Sequence, residues 1–547
     1  MAAVHTRALG VAYAVHTAAR NSHLRNVGIA RLASVTGRWA GTVALSVYAY
    51  QAGGATLVGV MGASRSLPAV AAGPIASWLL KRLRGDQVLL AGDLARVFVV
   101  GGAAAIVLSN ASTEAVFVLA GLETLLSTIV RPLQNASLPA LARTPLELTA
   151  THLGLTTIES IGMLLGPVVS GAMLAVLAAP GRVLLVTAGT YLVSALMLAQ
   201  LPRWEPVAAE LERDDKATPT TLSLLADVRL RFLFTVTLAQ SALSGLIGVL
   251  IVVSALRLLD LGESGVGTLN AAVGVGGLLG TVVAVALLGR KRVASDFGLG
   301  VVLCSLPIAV IGLAPHLAVA LVFLAILGIG IALVDFTGLT LFQRATPHER
   351  LPQMFSVLQG TSVSALGAGE LVAPLLIDAI GLRGALIACG ALLPILIGLF
   401  WRRLVLLDEL QDVDDETIDL LRAVEIFAPL RLPSLERLGS SLVPVEAPAG
   451  VEVVRQGDPG DSYFIVRSGT LDVAIDGVQV NTLGPGDGFG EIALLRDVPR
   501  TATITTTSPV ELFALDREPF LAVVTGNTTS HGAADVVIDR HLGATAP

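Results

Sequence analysis

Long apolar segments dominate the first 404 of the 547 residues and limit what this chain can fold into. A helix needs about 20 consecutive, mostly apolar residues to cross the hydrocarbon core of a bilayer. About twelve segments of that kind lie near residues 26–50, 56–80, 88–109, 113–134, 150–178, 181–201, 232–257, 263–289, 296–314, 316–342, 353–379 and 383–402. The sequence therefore predicts an all-α membrane domain of twelve transmembrane helices in contact with a lipid bilayer.

The composition supports the same class. Apolar residues make up 54% of the chain, charged residues only 14%, and the mean hydropathy is +0.77. A soluble globular protein carries about 25% charged residues. These values exclude an ordinary soluble enzyme, a disordered protein and a nucleic-acid binder built on basic patches.

The net charge of −6 conceals two regions of opposite sign. Residues 1–404 carry 27 Lys and Arg against 19 Asp and Glu, whereas residues 405–547 carry 9 against 23. A basic, apolar body followed by an acidic tail predicts a membrane domain joined to an aqueous domain.

Basic residues in the loops predict the orientation. Seventeen Lys and Arg lie in one set of loops and in the segment after the last span, whereas the opposite loops hold only Arg182, Arg257 and Arg383. Because cytoplasmic loops are enriched in these residues, both termini are expected in the cytoplasm of a cell whose plasma membrane holds the protein.

The longest polar break in the body, residues 202–231, separates six spans from six. Two six-span halves resemble the Major Facilitator Superfamily, a class of secondary transporters. The string GPIASWLLKRLRGDQVLLAGDLAR at 73–96 is similar to the family's loop between spans two and three, with Asp93 and Arg96 on the pattern and Lys81 where the usual Asp falls. GMLLGPVVSG at 162–171 resembles a fifth-span motif, in which Gly166 and Pro167 permit close packing and a bend.

Charged residues inside the spans are candidates for the transport path. An ionised group at mid-bilayer costs at least about 2.5 kcal/mol, so it usually faces a cavity or a partner. The acidic candidates are Glu123, Glu159, Asp335 and Glu370, either as proton-titrating or substrate-binding groups in a central cavity or as members of structural ion pairs. The basic residues Arg38 and Arg65 fit a structural role better. Because no Gly-x-x-x-x-Gly-Lys-Ser/Thr loop occurs, gradient-driven transport of a small molecule is expected instead of ATP-driven pumping.

The spacing of apolar residues changes along the tail, from a helical period to a β-strand period. Residues 404–425 have apolar residues at helical spacing and predict a helical linker. From about residue 450, short β-rich runs alternate with turn pairs, and Asp476-Gly477 is a strong hairpin signal. Helical segments at 433–442, 517–524 and 533–542 flank these runs. The pattern predicts a small α+β domain with an antiparallel β-roll.

The string GPGDGFGEIALLRDVPRTATI at 484–504 carries the chemistry of the tail. It closely resembles the phosphate-binding cassette of cyclic-nucleotide-binding domains, and the resemblance extends over about 425–545. The binding residues that it implies are Phe489, Gly490, Glu491, Ile492, Ala493, Arg500, Thr501 and Ala502.

The residue types suit a cyclic phosphodiester. Arg500 offers a planar fork of donors to phosphate oxygens. An ionised Glu491 only accepts hydrogen bonds, so it suits a ribose 2′-hydroxyl. Thr501 does not decide between adenine and guanine as the base of the nucleotide. We favour cAMP, with cGMP as the alternative. An apolar lid of Val536, Val537, Ile538 and Leu542 is an alternative to ordinary packing of the last helix.

The sequence as a whole predicts a transporter controlled by a cytoplasmic cyclic nucleotide, with neither an enzymatic activity nor a cofactor or metal. Two alternatives stay open: a membrane-anchored receptor that has lost transport, which the change at Lys81 favours, and an exporter of the cyclic nucleotide itself. The predicted parts are an N-terminal segment (1–25), a first half (26–201), a loop (202–231), a second half (232–403), a linker (404–425) and the nucleotide domain (426–547).

Overall fold

Helices account for nearly all of the described body in the computed structural model, and every strand among the described residues lies in the tail. The structure describes residues 21–80, 84–141, 144–202, 228–286, 292–346, 351–409, 415–430, 432–525, 530 and 532–537. The chain divides into two units, residues 1–405 and 406–547.

The described part of the body contains ten helices that are long and apolar enough to cross a membrane. The helices of the first unit, including one short helix after the first, are α1 Ser22–Ser66, α2 Ala72–Leu80, α3 Gly85–Leu108, α4 Thr113–Leu141, α5 Pro145–Leu177, α6 Pro180–Leu198, α7 Val228–Val253, α8 Gly262–Ala286, α9 Val293–Leu313, α10 Leu317–Ala345 and α11 Leu351–Glu409. A 3₁₀ turn, Leu67–Ala71, joins α1 to α2, and a π-turn, Ser254–Leu258, follows α7.

The count of ten differs from the twelve predicted segments because two helices each contain more than one of them. Helix α1 has 45 residues and includes the first predicted segment and part of the second. Helix α11 has 59 residues and includes the last two. The helical backbone is interrupted at Gly53 and Gly54 in α1 and at Gly381 in α11, and Gly54 and Gly381 have positive φ angles.

The predicted break at 202–231 falls mostly outside the described residues, as does Lys81. Helix α7 begins at Val228, four residues before the predicted span. The linker predicted at 404–425 is helical up to Glu409 and again from Asp415, with 410–414 outside the described residues.

The tail forms two four-stranded antiparallel sheets flanked by short helices. Its elements are α12 Asp415–Ala423, α13 Leu432–Ser440, β1 Val443–Ala447, β2 Glu452–Val454, β3 Ser462–Ser468, β4 Leu471–Ile475, β5 Val478–Leu483, β6 Gly488–Phe489, α14 Glu491–Arg496, β7 Thr503–Thr506, β8 Val510–Asp516 and α15 Arg517–Thr525. The sheet orders are β1-β8-β3-β6 and β2-β7-β4-β5. Strands β4 and β5 form the predicted hairpin, with Asp476 and Gly477 both at positive φ.

A buried ion network joins four helices of the first half. Arg96 on α3 has an exposed fraction of 2%, and its guanidinium contacts Asp93 at 3.0 Å and Glu123 on α4 at 3.1 Å. Arg96 also donates to Ser34 on α1 at 2.8 Å and lies 3.8 Å from the ring centroid of Tyr191 on α6. The Tyr191 hydroxyl donates to Glu123, and Ser194 on α6 donates to Asp93. The network therefore fixes the helices on which the cavity described below is built.

We expect Asp93→Asn to lower the free energy of unfolding by about 2 kcal/mol, because the neutral amide weakens the hydrogen bonds that the buried carboxylate accepts from Arg96 and Ser194. Unfolding of the detergent-solubilised protein by increasing mole fractions of SDS measures the change. Asp378→Asn, at an exposed position on α11, is the matched control and should leave stability unchanged. Equal stability of the two variants would contradict the role assigned to the network.

Candidate functional sites

Glu159 on α5 is the centre of a cluster of three arginines. Its carboxylate lies 3.2 Å from Arg31 Nε, 2.6 Å from Arg38 Nη2 and 3.2 Å from Arg131 Nη2. Arg31 and Arg38 come from α1 and Arg131 comes from α4, so the cluster ties three helices together. Arg31 also donates to Gln134 on α4 at 2.8 Å.

The Glu159 cluster lines two adjoining cavities of about 600 and 580 Å³. Both cavities are lined by Arg31, Arg38, Arg131 and Asn135. The larger one extends between the halves to α8 and α10, where Asp335 lies on its wall. The smaller one reaches Arg65 and Arg96.

The other predicted transport residues lie in different surroundings. Glu123 belongs to the buried network with Asp93 and Arg96 and does not join the Glu159 cluster. Glu370 on α11 accepts from Ser66 on α1 at 2.8 Å. At Gly166, before Pro167, an added Cβ would lie 2.4 Å from the Cβ of Trp39, so glycine permits the close packing of α5 on α1.

Besides the Ser66–Glu370 contact, the two halves touch at one end of the helices that line the larger cavity, and the cavity lies towards the other end. Arg257, after α7, donates to the Tyr50 hydroxyl on α1 at 2.6 Å. Gln51 donates to Glu263 on α8. An added Cβ at Gly267 on α8 would lie 2.6 Å from the Cα of Gly171 on α5, so these helices are in close contact. The body is thus closed beside Tyr50, where the first regular stretch of α1 ends at Gly53 and Gly54.

In the tail, the predicted cassette forms one local structure. Strand β6 leads into Gly490, which precedes the short helix α14 and has a φ of 101°. An added Cβ at Gly490 would lie 2.4 Å from Arg500 Nη1. At Gly460, before β3, an added Cβ would lie 2.6 Å from the Cβ of Ala493 and 2.9 Å from Arg500 Nε. Small residues therefore make room for the guanidinium.

Backbone carbonyls hold Arg500 in position. Its Nη2 donates to the Ser462 carbonyl at 2.7 Å and its Nη1 to the Gly490 carbonyl at 3.3 Å. Burial lowers the pKa of Arg500 from its usual value, and the carboxylates of Asp461 and Glu491 oppose that shift. The guanidinium is a partly desolvated positive charge of the kind that binds a phosphate oxygen strongly.

The remaining cassette residues differ in exposure. Glu491 and Ala493 are buried, Ile492 and Ala502 are half-buried, and Thr501 is exposed. Phe489 stacks on Phe464 with ring centroids 5.1 Å apart, so it belongs to the core beneath the site.

The last described helical residues pack mainly on the β-roll. Ala534 and Val537 belong to the cluster that contains Tyr463, Leu515 and Phe520, whereas Val536 is exposed. Ile538 and Leu542, the other predicted lid residues, lie outside the described residues.

Sequence analysis missed several contacts of both sites. It did not identify Gly460, Asp461 and Ser462, although the turn string DPGD at 458–461 marks a loop before a strand. It counted Arg131 only as a loop charge and did not consider Arg31. The seven-residue spacing of Arg31 and Arg38, which puts both on one helix face, is the signal that could have found the pair.

Comparison with known proteins gives two matches to families. The Major Facilitator Superfamily profile matches residues 27–369, and the profile of the cyclic nucleotide-binding domain matches residues 444–527. A solved transporter of the POT family, in complex with a thioalcohol-conjugated peptide, aligns with 70% of this chain and 96% of its own at a TM-score of 0.56 and 15% identity, which is a likeness of fold.

Curated relatives match the tail alone. The cAMP-dependent protein kinase regulatory subunit of Yarrowia lipolytica is 42% identical over 88 residues, which are 16% of this chain and 24% of that protein. The corresponding subunit of Eremothecium gossypii is 45% identical over 75 residues, 14% of this chain and 16% of that protein. The chain thus spans a quarter or less of the length of these relatives. Since the first profile covers well over half of the chain, the protein belongs to the Major Facilitator Superfamily and carries a C-terminal cyclic nucleotide-binding domain.

Proposed function

We propose that the protein is a secondary active transporter whose activity is regulated by cAMP binding to its C-terminal domain. One observation supports the proposal: the same chain contains both a transporter body and a nucleotide-binding cassette. The body belongs to a transporter family and has a charged cavity between its halves, and the cassette holds Arg500 beside Gly490.

Twelve membrane crossings are part of the proposal. At about 1.5 Å per residue, the 45 residues of α1 would extend about 68 Å as a straight helix, and the hydrocarbon core is about 30 Å thick. The glycine interruptions at Gly54 and Gly381 divide α1 and α11 into two crossings each. Together with the eight other long helices, this gives two halves of six.

The contacts between the halves support alternating access. The Tyr50–Arg257 and Gln51–Glu263 hydrogen bonds close one end, while the cavity lies towards the other. With the N-terminus of α1 in the cytoplasm, as the loop charges predict, this conformation is closed to the outside. The proposed location is the plasma membrane, with both termini in the cytoplasm.

The proposed regulatory ligand is cAMP, and cGMP is the alternative. Arg500 supplies the phosphate contact and Glu491 the acceptor for the ribose hydroxyl. The kinase subunits similar to the tail are named as cAMP-dependent, which favours adenine.

Two other functions use the same domains. In a receptor that has lost transport, cAMP would bind but no substrate would cross the membrane. In an exporter, the cyclic nucleotide would itself be the cargo. Counterflow of labelled cAMP in proteoliposomes identifies the exporter, and substrate flux excludes the receptor.

We expect Arg500→Ala in the full-length protein to weaken cAMP binding at least about tenfold, because a hydrogen bond to a charged group contributes roughly 1.5–3 kcal/mol. Isothermal titration calorimetry in detergent measures the affinity, with Arg422→Ala, an exposed arginine on α12, as the control. Equal affinities in wild type and Arg500→Ala would refute the site.

If Glu159 exchanges protons during transport, Glu159→Gln should abolish proton-coupled net flux and preserve substrate exchange, because exchange needs no net proton movement. Proteoliposomes loaded with a pH-sensitive dye report both. Unchanged net coupled flux in Glu159→Gln would leave Glu159 with a structural role.

Regulation is proposed to pass through the linker between the two domains. A ligand shifts a conformational equilibrium only by its difference in affinity for the two states. A flexible Gly/Ser segment inserted after Leu407 behaves as a random coil and should interrupt a helical connection. We expect the insertion variant to bind cAMP with near-normal affinity and to lose the effect of cAMP on transport rate.

Reciprocity supplies an independent measurement on the intact protein. The factor by which cAMP changes substrate affinity must equal the factor by which substrate changes cAMP affinity. An insertion variant that stays fully regulated would show that the linker is not the path. An intact protein in which cAMP changes neither rate nor affinity would refute regulation altogether.

A further inference from the structure

The cavity around Glu159 carries an excess of positive charge. Five arginines and two carboxylates line its two compartments in the described part of the chain: Arg31, Arg38, Arg65, Arg96, Arg131, Glu159 and Asp335. Arg96 is offset by two carboxylates, Asp93 and Glu123. Arg65 donates to the Thr42 hydroxyl and lies in the field of Glu123 and Glu370. The three arginines on Glu159 therefore leave about two positive charges on their side of the cavity, and Asp335 places one negative charge on the opposite wall.

Hydrogen-bond donors without acceptors lie on the same walls. Among the described residues, Gln134 Nε2 and Trp39 Nε1 are buried and have no hydrogen-bond partner. Gln134 has an exposed fraction of 2% and lines the smaller cavity, and Trp39 lines the larger one. Leaving a buried donor unpaired costs about 1–3 kcal/mol, so a small turn of either side chain toward an acceptor group in the cavity would be favourable.

The cavity wall opposite the arginines is mainly apolar. Helices α8 and α10 contribute mainly small and apolar residues there, among them Gly277, Gly328, Ile331, Ala332, Phe336 and Leu339. Asp335 is the one carboxylate among the described residues of that wall. It repels an anionic group, and this confines the anionic end of a ligand to the arginine side.

We propose that the cavity binds an organic anion, with a carboxylate or phosphate group on Arg31, Arg38 and Arg131 and an apolar body against α8 and α10. This inference rests on the proposed transport function and assigns its substrate class. Glu159 acts as the resident counterion: the incoming anion replaces its carboxylate on the arginines and so releases it. Binding and the freeing of an acidic group are then one event.

The charge of the cavity can be measured without knowing the substrate, because Trp39 lies on its wall and the Arg38 guanidinium lies 5.5 Å from the centroid of its ring. Replacing Trp78, Trp204 and Trp401 with Phe leaves Trp39 as the only tryptophan in the full-length protein, so excitation selective for tryptophan reports on it alone. Quenching by iodide, caesium and acrylamide at constant ionic strength compares an anion, a cation and a neutral molecule. A positive cavity concentrates anions, so the iodide constant should exceed the caesium constant by about threefold or more, each normalised to free tryptophan amide.

Variants assign the effect to the cluster. Arg38→Gln should lower the iodide constant and Glu159→Gln should raise it. Arg182→Gln, an equal change of charge at an exposed position in the first turn of α6, should leave it unchanged. Equal quenching by caesium and iodide, no effect of Arg38→Gln, or no quenching by any of the three would overturn the proposal.

A matched set of ligands tests the anionic group. Phenylacetate and phenyl phosphate should protect Trp39 from iodide, whereas phenylacetamide and phenethylamine at the same concentration should not. The stronger protector of the first pair identifies carboxylate or phosphate as the preferred group, and equal protection by the amine would contradict anion binding. These measurements need no transport, so an intact anion site without substrate flux in liposomes would count against the transporter function alone.

Discussion

A charge removed from water must be neutralised by neighbours, and the first half of the body is organised around this requirement. Arg96 has almost no solvent exposure, so two carboxylates, a serine and a tyrosine ring supply what water would otherwise provide. These partners come from α1, α3, α4 and α6. The network therefore fixes their relative positions, and with them the part of the cavity wall that α1 and α4 provide.

The same pairing of arginine and carboxylate has another consequence where water has access. Arg131 has a side-chain exposure of 52%, and the Glu159 cluster opens on a cavity of about 600 Å³. Hydration makes exchange of partners feasible there, whereas in the Arg96 network an exchange would leave a desolvated charge alone. The degree of burial therefore distinguishes the two groups of ion pairs in the first half. The Arg96 network is fixed, whereas the arginines of the Glu159 cluster can exchange their partner.

The sequence predicted elements and motifs whose signals are local. Apolar length gave the helices, Asp476-Gly477 gave the hairpin, and the contiguous string around Glu491 and Arg500 gave the cassette. Contacts that depend on the folding of distant segments were not predictable in this way. Ser462 reaches Arg500 only because the start of β3, 38 residues earlier, folds beside it. Likewise, Arg31 and Glu159 are 128 residues apart in sequence and meet only when α1 packs on α5.

The count of long helices is lower than predicted because two helices run on through breaks that the sequence had placed between segments. The predicted segments end at 50 and 379 and resume at 56 and 383, and the backbone departs from helical geometry at Gly53-Gly54 and Gly381 without ending the helix. Glycine has no Cβ to penalise a positive φ, so it accommodates such interruptions among apolar neighbours.

Helix α1 carries both Arg38, on the cavity wall, and Tyr50, at the closed end. The twelve residues between them correspond to about 18 Å of helix, and the backbone between them is regular. Because this helical segment is rigid, a tilt of the segment when Arg38 changes its partner must also move Tyr50 relative to Arg257. In the proposed transporter, anion binding at Arg38 and closure of the opposite end at Tyr50 would therefore be coupled by this one rigid segment.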